Sequence, residues 1–309
     1  MQSKVIFLMG PTAAGKTDLA IQLAPNFPID IISVDSAMIY RGMEIGTGKP
    51  SKDILQNVPH KLIDICDPTE SYSAAQFRQD ALTAIKNSLL HQRIPLLVGG
   101  SMLYFNALSK GLANLPEADE EIRNRLQTQL AEKGLHEMHQ RLQKIDSNAA
   151  LRIHPNDPQR IIRALEVYEI TGKSLTAHFN QQAKETFPYS VLQIAIAPTQ
   201  REQLHERIAL RFQAMLNQGL VEEVKLLREK FTLTANFPSM RTVGYRQVCQ
   251  YLENQLSYTE MQDRGVVATR QLAKRQLTWL RHWENLCWFA SDDEKLLQKV
   301  ITAIYTFTS

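Results

Sequence analysis

The sequence has few cysteines, no long apolar run and no excess of either charge. Its three cysteines, Cys66, Cys249 and Cys287, lie far apart and form no C-x-x-C pair. This pattern excludes a disulfide framework and a zinc knuckle, and it predicts buried free thiols in a reducing cytoplasm. No apolar run approaches the roughly 18 residues of a membrane span, and Val5–Met9 is too short for an export signal. We therefore expect a soluble cytoplasmic protein.

The net charge is only +3, from 35 basic and 32 acidic residues. Such a balance by itself argues mildly against nucleic acid as the main partner. The basic residues are unevenly distributed, however, because the stretch 241–281 contains seven of them and only three acidic residues. The seven are Arg241, Arg246, Arg264, Arg270, Lys274, Arg275 and Arg281. The chain therefore contains a local basic tract, residues 241–281, although its net charge is small.

The first third of the chain alternates apolar runs with helical periods. The apolar runs have the length and composition of buried parallel strands. They are Val5–Met9, Ile29–Val34, Leu62–Ile65 and Pro95–Val98, with helical periods at Lys16–Leu23 and Ala74–Leu90. This order predicts an α/β fold with a parallel sheet that is covered by helices on both faces. A further strand is predicted at Val191–Ala197, followed by helices from Gln200 to the end.

The pattern becomes entirely helical after Leu115. An acidic helix start, Pro116–Glu121, is favourable at the positive end of the helix dipole. Asp157-Pro158 is an N-cap followed by a first-turn proline, and Gly172 is a C-cap. We predict a helical insertion domain at residues 117–187, which divides a catalytic core formed by residues 1–116 and 188–309.

A complete phosphate-loop motif follows the first predicted strand. Gly10-Pro11-Thr12-Ala13-Ala14-Gly15-Lys16-Thr17 matches G-x-x-x-x-G-K-[ST] in full. Such a loop turns backbone amides inward, the following helix adds its positive end, and the lysine supplies a mobile charge. The motif predicts a di- or triphosphate site, with the Thr17 hydroxyl on Mg²⁺.

The acidic residue near this loop is Asp35, at the end of the second strand. Nucleotide hydrolases usually carry an aspartate at the end of another strand, but the fourth run here continues as Gly99-Gly100-Ser101. Ligands of parallel sheets bind at the carboxyl ends of the strands, so Asp35 is favoured as a catalytic base over a salt-bridge partner. Ser101 either faces the same crevice or caps the next helix. The residues leave both roles open for Ser101.

These motifs together resemble those of tRNA dimethylallyltransferases, also called tRNA isopentenyltransferases. The resemblance begins with the phosphate loop, Asp35-Ser36-Ala37-Met38-Ile39-Tyr40 and Gly99-Gly100-Ser101-Met102-Leu103-Tyr104. It continues in the same order at Asp157–Glu166, Val243–Gln247 and Thr269–Gln276. It covers nearly the whole chain, and it implies a P-loop kinase-like core with a helical insertion, and Mg²⁺ as cofactor.

The resemblance implies transfer of a dimethylallyl group from dimethylallyl diphosphate to the exocyclic amine of a tRNA adenosine. This adenosine, position 37, follows the anticodon of tRNAs that read codons beginning with U. The phosphate loop would then hold a leaving diphosphate without ATP chemistry, which fits the missing strand-end aspartate. Lys16, Asp35 and Ser101 would be catalytic, and Arg211 would reach the diphosphate as a lid arginine does.

The resemblance also implies residues that contact the tRNA anticodon stem-loop. The target base must be flipped out of its stack, at a cost of a few kcal/mol. The implied contacts are Asp35, Ser36, Ala37, Met38, Ser101, Arg123, Gln159, Arg160, Ile161, Ile162, Arg163, Met240, Arg241, Thr242, Val243, Gly244 and Tyr245. Arg160 and Arg163 lie one helical turn apart. From the residues alone, this spacing is compatible with two arginines that grip a phosphate, and equally with a solvated helix face.

The sequence departs from the family in three places. Ala37 and Met38 stand where Met and Gln are common, so the side-chain amide that would bind a base is missing. Ser101 replaces a threonine and keeps the hydroxyl. The zinc finger of eukaryotic members is missing, so we expect a short bacterial form that acts as a monomer.

Two other functions remain open at this stage. A small-molecule or nucleoside kinase would use the same loop and Asp35, and it would consume ATP. An RNA-binding protein with a regulatory nucleotide site would keep its RNA affinity when Lys16 is replaced.

The aromatic residues Trp279 and Trp283 are either core residues or stacking platforms for RNA.

Overall fold

The computed structural model describes residues 3–181 and 187–309, which form two compact units. The first unit comprises the described residues of 1–109 and 187–309, and the second comprises those of 110–186. Residues 182–186, at the end of the predicted insertion, lie outside the described residues, as do Met1 and Gln2. None of the described helices combines the length and apolar character needed to cross a membrane.

A six-stranded sheet forms the centre of the first unit. Its strands are β1 (Lys4–Met9), β2 (Ile29–Val34), β3 (His60–Lys61), β4 (Ile94–Gly99), β5 (Ser190–Ala197) and β6 (Cys287–Ala290). They lie in the order β3-β2-β4-β1-β5-β6, and each neighbouring pair is parallel. The predicted α/β fold with a parallel sheet is confirmed.

Helices follow most of the strands. In chain order they are α1 (Lys16–Leu23), α2 (Lys52–Asn57), α3 (Ala74–Leu90), α4 (Met102–Lys110), α5 (Glu120–Ile145), α6 (Ser147–Arg152), α7 (Pro158–Thr171), α8 (Leu175–Gln181), α9 (Arg201–Asn217), α10 (Leu220–Phe231), α11 (Tyr245–Leu252), α12 (Tyr258–Arg281) and α13 (Leu296–Thr308). A short 3₁₀ helix, Ser239–Arg241, precedes α11.

Two predictions about strands were wrong. The predicted strand Leu62–Ile65 does not form, because Leu62 (φ 63°) and Asp64 (φ 55°) adopt left-handed backbone conformations that end the pairing after Lys61. Strand β6 was missed, since its four residues follow a long helical pattern. All three cysteines are free thiols, but only Cys249 is buried. Cys287 lies exposed on the edge strand β6, and Cys66 is half-buried.

Side chains alternate between the two faces of the sheet. Val5, Phe7 and Met9 of β1 are fully buried on one face with α3 and α4. Ile6 and Leu8 are fully buried on the opposite face with α1 and α13. Each such side chain contributes about 1.5–3 kcal/mol through burial. This core fixes the carboxyl ends of the central strands, where the loops that follow them carry the site.

A third cluster in the first unit joins α9, α10 and α11 to the segment after β2. Ile39, Tyr40 and Met43 from that segment pack with Phe212 of α9 and Val248 of α11. The cluster holds the chain that follows β2 against the helices of the carboxyl-terminal third.

The second unit has its own core, formed by α5, α6, α7 and α8. Asp157 caps α7 by accepting a hydrogen bond from Arg160 N at 3.1 Å, Pro158 begins that helix, and Gly172 ends it with φ 69°. These three predicted features are confirmed. Helix α5 begins slightly later than expected, with Asp119 as its N-cap.

Candidate active site

The candidate site lies at the switch point of the sheet. Strands β1 and β4 are neighbours, but the chain continues from β1 to β2 on one side and from β4 to β5 on the other. Open α/β sheets bind their ligands in the crevice at such a point. Here the loops after both strands line a cavity of about 1140 Å³ within the first unit.

Residues 12–17 of the loop Gly10–Thr17 form one wall of this cavity, whereas Gly10 and Pro11 are not among its lining residues. Ala13 (φ 63°) and Gly15 (φ 85°) adopt left-handed conformations that turn the chain before α1 begins at Lys16. Lys16 Nζ donates a hydrogen bond to Pro11 O at 2.7 Å, which folds the side chain back over the loop. The structure therefore has the strand, loop and helix arrangement that phosphate binding at a helix N-terminus requires.

Two cations face this cavity. Burial, and after it the Arg211 guanidinium, lower the pKa of Lys16 to about 8, and the Asp35 carboxylate opposes this. Burial also lowers the pKa of Arg211, while Asp35 and Asp18 oppose that shift. Arg211 has no hydrogen-bond or ion-pair partner in the described ranges of the chain. Two desolvated cations without a directly bonded carboxylate are an electrostatic arrangement suited to a multiply charged anion.

Asp35 begins a tight turn at the end of β2. Its Oδ1 accepts hydrogen bonds from Ala37 N (2.8 Å) and Met38 N (3.2 Å), as in an Asx turn. Its Oδ2 has no hydrogen-bond partner in the described part of the chain. Asp35, Ser36, Ala37 and Met38 all line the cavity. One carboxylate oxygen is thus structural, and the other is available for a ligand.

Ser101 supports this turn. Its Oγ accepts a hydrogen bond from Ser36 N at 3.1 Å and lies 3.4 Å from Ser36 Oγ. Of the two roles that the sequence left open, the structure favours the crevice, because this hydroxyl holds the turn instead of capping α4. Asp35, Ser101 and Lys16 are thereby brought to one cavity.

Gln276 of α12 connects the two central loops. Its Oε1 accepts a hydrogen bond from Thr12 N at 2.8 Å, and its Nε2 donates to Gly100 O at 2.9 Å. Gln276 is only 8% exposed, and a side chain at position 100 would overlap its amide. It belongs to the quoted Thr269–Gln276 motif, but nothing in the sequence indicates that it bridges the loops.

Glu223 of α10 holds a further wall, the segment 44–48. Its carboxylate accepts hydrogen bonds from the amides of Glu44 (3.1 Å), Ile45 (2.7 Å) and Gly46 (3.3 Å), and from the Tyr245 hydroxyl (2.6 Å). The same segment supports Arg211, because a side chain on Gly48 would overlap the guanidinium. Sequence reasoning missed this wall, although two glycines, Gly46 and Gly48, signalled a close backbone approach.

The stretch 240–245 is only partly available to a ligand. Arg241, Thr242, Val243 and Gly244 line the cavity. The Met240 and Tyr245 side chains are 0% exposed, and the Tyr245 hydroxyl is bonded to Glu223. Both side chains therefore belong to the core, and the expectation that the stretch 240–245 faces tRNA stays a prediction for its other residues and its backbone.

In the second unit, the predicted tRNA contacts divide into buried and exposed residues. Ile161 (0% exposed) and Ile162 (8%) belong to its apolar core, so their side chains do not face RNA. They are buried because α7 packs this face against α5, so the tRNA contact predicted for Ile161 and Ile162 stays a prediction for their backbone alone. Gln159 and Arg160 are exposed on the first turn of α7.

Two arginines of the predicted tRNA surface are held within the second unit. Arg163 binds Glu166 at 2.6 Å and Pro116 O at 2.6 Å, and Arg123 binds the same Glu166 oxygen at 3.1 Å. Glu166 is fully buried. Arg163 is therefore not the free partner of Arg160 that a phosphate grip needs. Arg160, with 70% of its side chain exposed, forms an ion pair with the N-cap residue Asp157 at 3.3 Å.

The oxygen ligands for Mg²⁺ fit the phosphate-loop mode of binding. The Thr17 hydroxyl lines the cavity and has no hydrogen-bond partner among the described residues. No group of three or more His, Cys, Asp or Glu side chains with metal-binding geometry occurs in the described ranges. Mg²⁺ keeps several waters and takes few protein oxygens together with substrate phosphate oxygens, so the Thr17 hydroxyl beside the phosphate loop is compatible with such a site.

A parallel sheet with a phosphate-loop motif at its switch point and a basic cavity is the arrangement typical of phosphate-binding α/β proteins. The family model for IPP transferase matches residues 38–283. The chain belongs to the IPP transferase family.

Solved structures of three similar proteins agree with this membership. A full-length tRNA isopentenylpyrophosphate transferase from Bacillus halodurans is 35% identical, with a TM-score of 0.72 over 99% of this chain and 96% of the other. A tRNA delta(2)-isopentenylpyrophosphate transferase from Staphylococcus epidermidis is 34% identical, with a TM-score of 0.71 over 99% of both chains. A eukaryotic dimethylallyltransferase acting on tRNA is 26% identical, with a TM-score of 0.82 over 99% of this chain and 79% of the other.

Proposed function

We propose that the protein transfers a dimethylallyl group from dimethylallyl diphosphate to the exocyclic amine of adenosine 37 in tRNA. The observation that carries this proposal is one cavity, in a chain of the IPP transferase family, that holds Lys16 and Arg211 beside the Asp35 carboxylate. The two cations suit a leaving diphosphate, and the carboxylate suits an amine that must lose a proton. The product is isopentenyladenosine in tRNAs that read codons beginning with U.

Asp35 acts as the general base. The adenine amine is a weak nucleophile because its lone pair is delocalised into the ring. As the nitrogen forms a bond to the first carbon of the dimethylallyl group, that carbon releases the diphosphate with the bonding electron pair. The amine proton passes to Asp35 Oδ2, the oxygen that the Asx turn leaves free. Such a base is typically worth about 10²–10⁴ in rate.

The phosphate loop, Lys16 and Arg211 bind the diphosphate and stabilise the charge that grows on it. Amides and cations that are already in place cost no reorganisation when the bond breaks. Thr17 Oγ1 would hold Mg²⁺, which would neutralise further charge on the leaving group. The rest of Gly10–Thr17 contributes backbone amides, which bind a diphosphate as they bind the phosphates of a nucleotide.

The target nucleotide enters the cavity from the anticodon stem-loop. The turn Asp35–Met38 and Ser101 hold it, and residues 241–244 contact the RNA beside it. In the second unit, Gln159 and Arg160 contribute exposed side chains to tRNA binding, and Arg123, which is bonded to Glu166, contributes its exposed part. The protein works as a cytoplasmic monomer.

Label transfer distinguishes this reaction from the alternatives. Undermodified tRNA is incubated with the protein and either dimethylallyl diphosphate labelled in the prenyl group or γ-labelled ATP. Prenyl label appearing in tRNA supports the proposal. Label moving from ATP to a small molecule would instead indicate a kinase, which family membership does not favour. Binding of tRNA without transfer of either label would indicate an RNA-binding protein with a regulatory nucleotide site.

A further inference from the structure

A second, smaller groove lies between α11 and α12 of the first unit. Its volume is about 280 Å³. Its polar and small lining residues are Arg246, Gln247 and Gln250 from α11, and Arg264, Ala268 and Gln271 from α12. None of the residues that line it is acidic.

The groove lies directly beside the active-site cavity. Thr269 and Leu272 of α12 line the cavity, while their chain neighbours Ala268 and Gln271 line the groove. The two sites therefore occupy adjoining faces of the same helical turns, within about one helix diameter of roughly 10 Å. A strand that delivers one base into the cavity must continue across an adjacent surface, and this groove is one such surface.

The charge of the groove suits a phosphate. Arg246 and Arg264 are both exposed, and neither forms an ion pair in the part of the chain that the structure describes. The acidic residue one turn before Arg264 is Glu260, whose Oε2 accepts hydrogen bonds from Ser257 N (2.8 Å) and Ser257 Oγ (2.9 Å). These bonds, and after them the charge of Arg264, lower the pKa of Glu260, but the two side chains form no direct ion pair among the described residues. Asp263 is exposed and outside the groove lining. The two arginines are thus available to an anionic ligand.

The glutamines supply hydrogen-bonding groups without partners. Gln247 is only 3% exposed, and its Oε1 accepts a hydrogen bond from Gly244 N at 2.9 Å. Its Nε2 has no partner in the described ranges, and neither do the side-chain amides of Gln250 and Gln271. Gln247 Nε2 is not one of the fully buried unpartnered side-chain atoms in the described ranges, so it is accessible to a polar ligand in the groove. Primary amides also match the donor and acceptor pattern of base edges.

We propose that this groove binds the tRNA strand next to the nucleotide that enters the cavity. Arg246 and Arg264 bind a backbone phosphate, and the amides of Gln250 and Gln271 contact the edge of a neighbouring base. This inference rests on the proposed function, because it takes its ligand from the tRNA that the cavity modifies.

Salt-dependent tRNA binding tests the phosphate contacts. The dissociation constant for undermodified tRNA is measured over a series of NaCl concentrations for the wild type and for R246A/R264A. The matched control is K86A/K225A, which removes two exposed charges outside the groove and the cavity. We expect R246A/R264A to bind about tenfold more weakly, with a salt slope smaller by about 0.7 for each phosphate that the variant no longer neutralises. The same affinity and slope as the control would overturn the proposal.

A second pair of variants tests the base contact. Q250A/Q271A is compared with wild type on an intact anticodon arm and on an arm with abasic nucleotides on either side of the target adenosine. The variant is expected to bind the intact arm several-fold more weakly and the abasic arm like the wild type. Equal losses on both arms would overturn the base contact, and equal thermal midpoints would exclude misfolding as the cause.

The outcomes for the groove and for the proposed function are separable. If the wild type transfers the prenyl label to tRNA while R246A/R264A binds tRNA like the control, the groove proposal fails and the proposed function stands. If the wild type transfers no prenyl label to tRNA, the proposed function fails whatever the groove variants do.

Discussion

Lys16 and Arg211 bring two positive charges to one cavity, and their charges are coupled. Burial lowers the pKa of the Lys16 ammonium to about 8, and the Arg211 guanidinium adds to this shift. An anion that binds between them raises the pKa of Lys16 again, because it stabilises the ammonium form. Diphosphate binding is therefore expected to be linked to the uptake of a proton.

This linkage makes the affinity for dimethylallyl diphosphate depend on pH above about 8. Below the lowered pKa of Lys16 the ammonium is already charged in the free protein, so the affinity stays constant. Above it the free protein has lost the proton, and binding must take it up again. The dissociation constant should then rise by up to about tenfold per pH unit. Titration calorimetry between pH 7 and 9.5, in buffers of different ionisation enthalpy, measures the dissociation constant and the number of protons taken up on binding.

Replacing Arg211 by glutamine separates its two effects. R211Q is expected to weaken diphosphate binding and also to move the onset of the pH dependence upward, because one cause of the lowered Lys16 pKa is removed. A wild-type affinity that does not change over this pH range would contradict the coupling.

The second prediction concerns the free oxygen of Asp35. In D35N the amide oxygen still accepts a hydrogen bond from the turn, but the residue no longer removes a proton. Single-turnover prenyl transfer should fall by about 10²–10⁴. The dissociation constants for tRNA and dimethylallyl diphosphate should change much less. D53N, an exposed residue that does not line the cavity, serves as the control. An unchanged single-turnover rate in D35N would remove Asp35 from the chemistry.

The third prediction concerns the Gln276 amide. Q276L leaves Thr12 N and Gly100 O without their shared partner, and each such buried group costs about 1–3 kcal/mol. We expect a lower free energy of unfolding and a raised KM for dimethylallyl diphosphate, since Thr12 belongs to the phosphate loop. Urea denaturation and steady-state kinetics measure these effects, with the exposed Q298L as control. Q276E keeps the acceptor for Thr12 N but loses the donor for Gly100 O, so it should not restore wild-type stability.

The fourth prediction concerns Glu223. In E223Q an NH₂ group replaces one of the oxygens that accept hydrogen bonds from the backbone amides of residues 44–46 and from the Tyr245 hydroxyl. The new NH₂ group is itself a donor, so it cannot accept these bonds. Bonds to a charged group are worth about 1.5–3 kcal/mol each, and a loss of this order in the free energy of unfolding is expected. KM for dimethylallyl diphosphate should rise as well, because the segment 44–48 supports Arg211. E222Q changes the exposed neighbour and should match the wild type. Identical effects in both variants would contradict the role of Glu223.

The sequence predicted much of the sheet because local signals coincide there with the tertiary structure. The predicted bounds of Ile29–Val34 agree with β2, and those of Lys16–Leu23 agree with α1. A short segment rich in isoleucine and valine favours a strand, and a glycine before a helical period favours a helix start, so each signal has one favourable structure. The strand predictions failed where the local sequence does not indicate the backbone conformation. The apolar residues of Leu62–Ile65 carry no sign of the two left-handed conformations, and β6 is too short to be distinguished from its helical surroundings.

The candidate site was predictable where a motif is contiguous and not where contacts are long-range. The loop Gly10–Thr17 and the Asp35 turn are local, and residues of both line the cavity. The bridge of Gln276 to Thr12 joins residues that are 264 positions apart, which no local pattern encodes. Burial of Tyr245 was missed for the same reason, since its partner Glu223 lies on another helix.

The tryptophans of α12 and the turn after it show the same limit. Trp283 packs against the core and donates a hydrogen bond to Gln193 Oε1 at 2.5 Å, whereas Trp279 is 41% exposed and lines the cavity. The sequence left a core role and a stacking role open for both residues. Only the packing of the sheet against α12 separates them.

The most direct test of the account follows both products of one reaction. Dimethylallyl diphosphate labelled with ¹⁴C in the prenyl group and ³²P in the diphosphate is incubated with the protein, Mg²⁺ and undermodified tRNA, without ATP. The account predicts one inorganic diphosphate released for each prenyl group that appears on the amine of adenosine 37, with both products slowed together in D35N. Diphosphate release without prenyl label in tRNA, or a requirement for ATP, would contradict it.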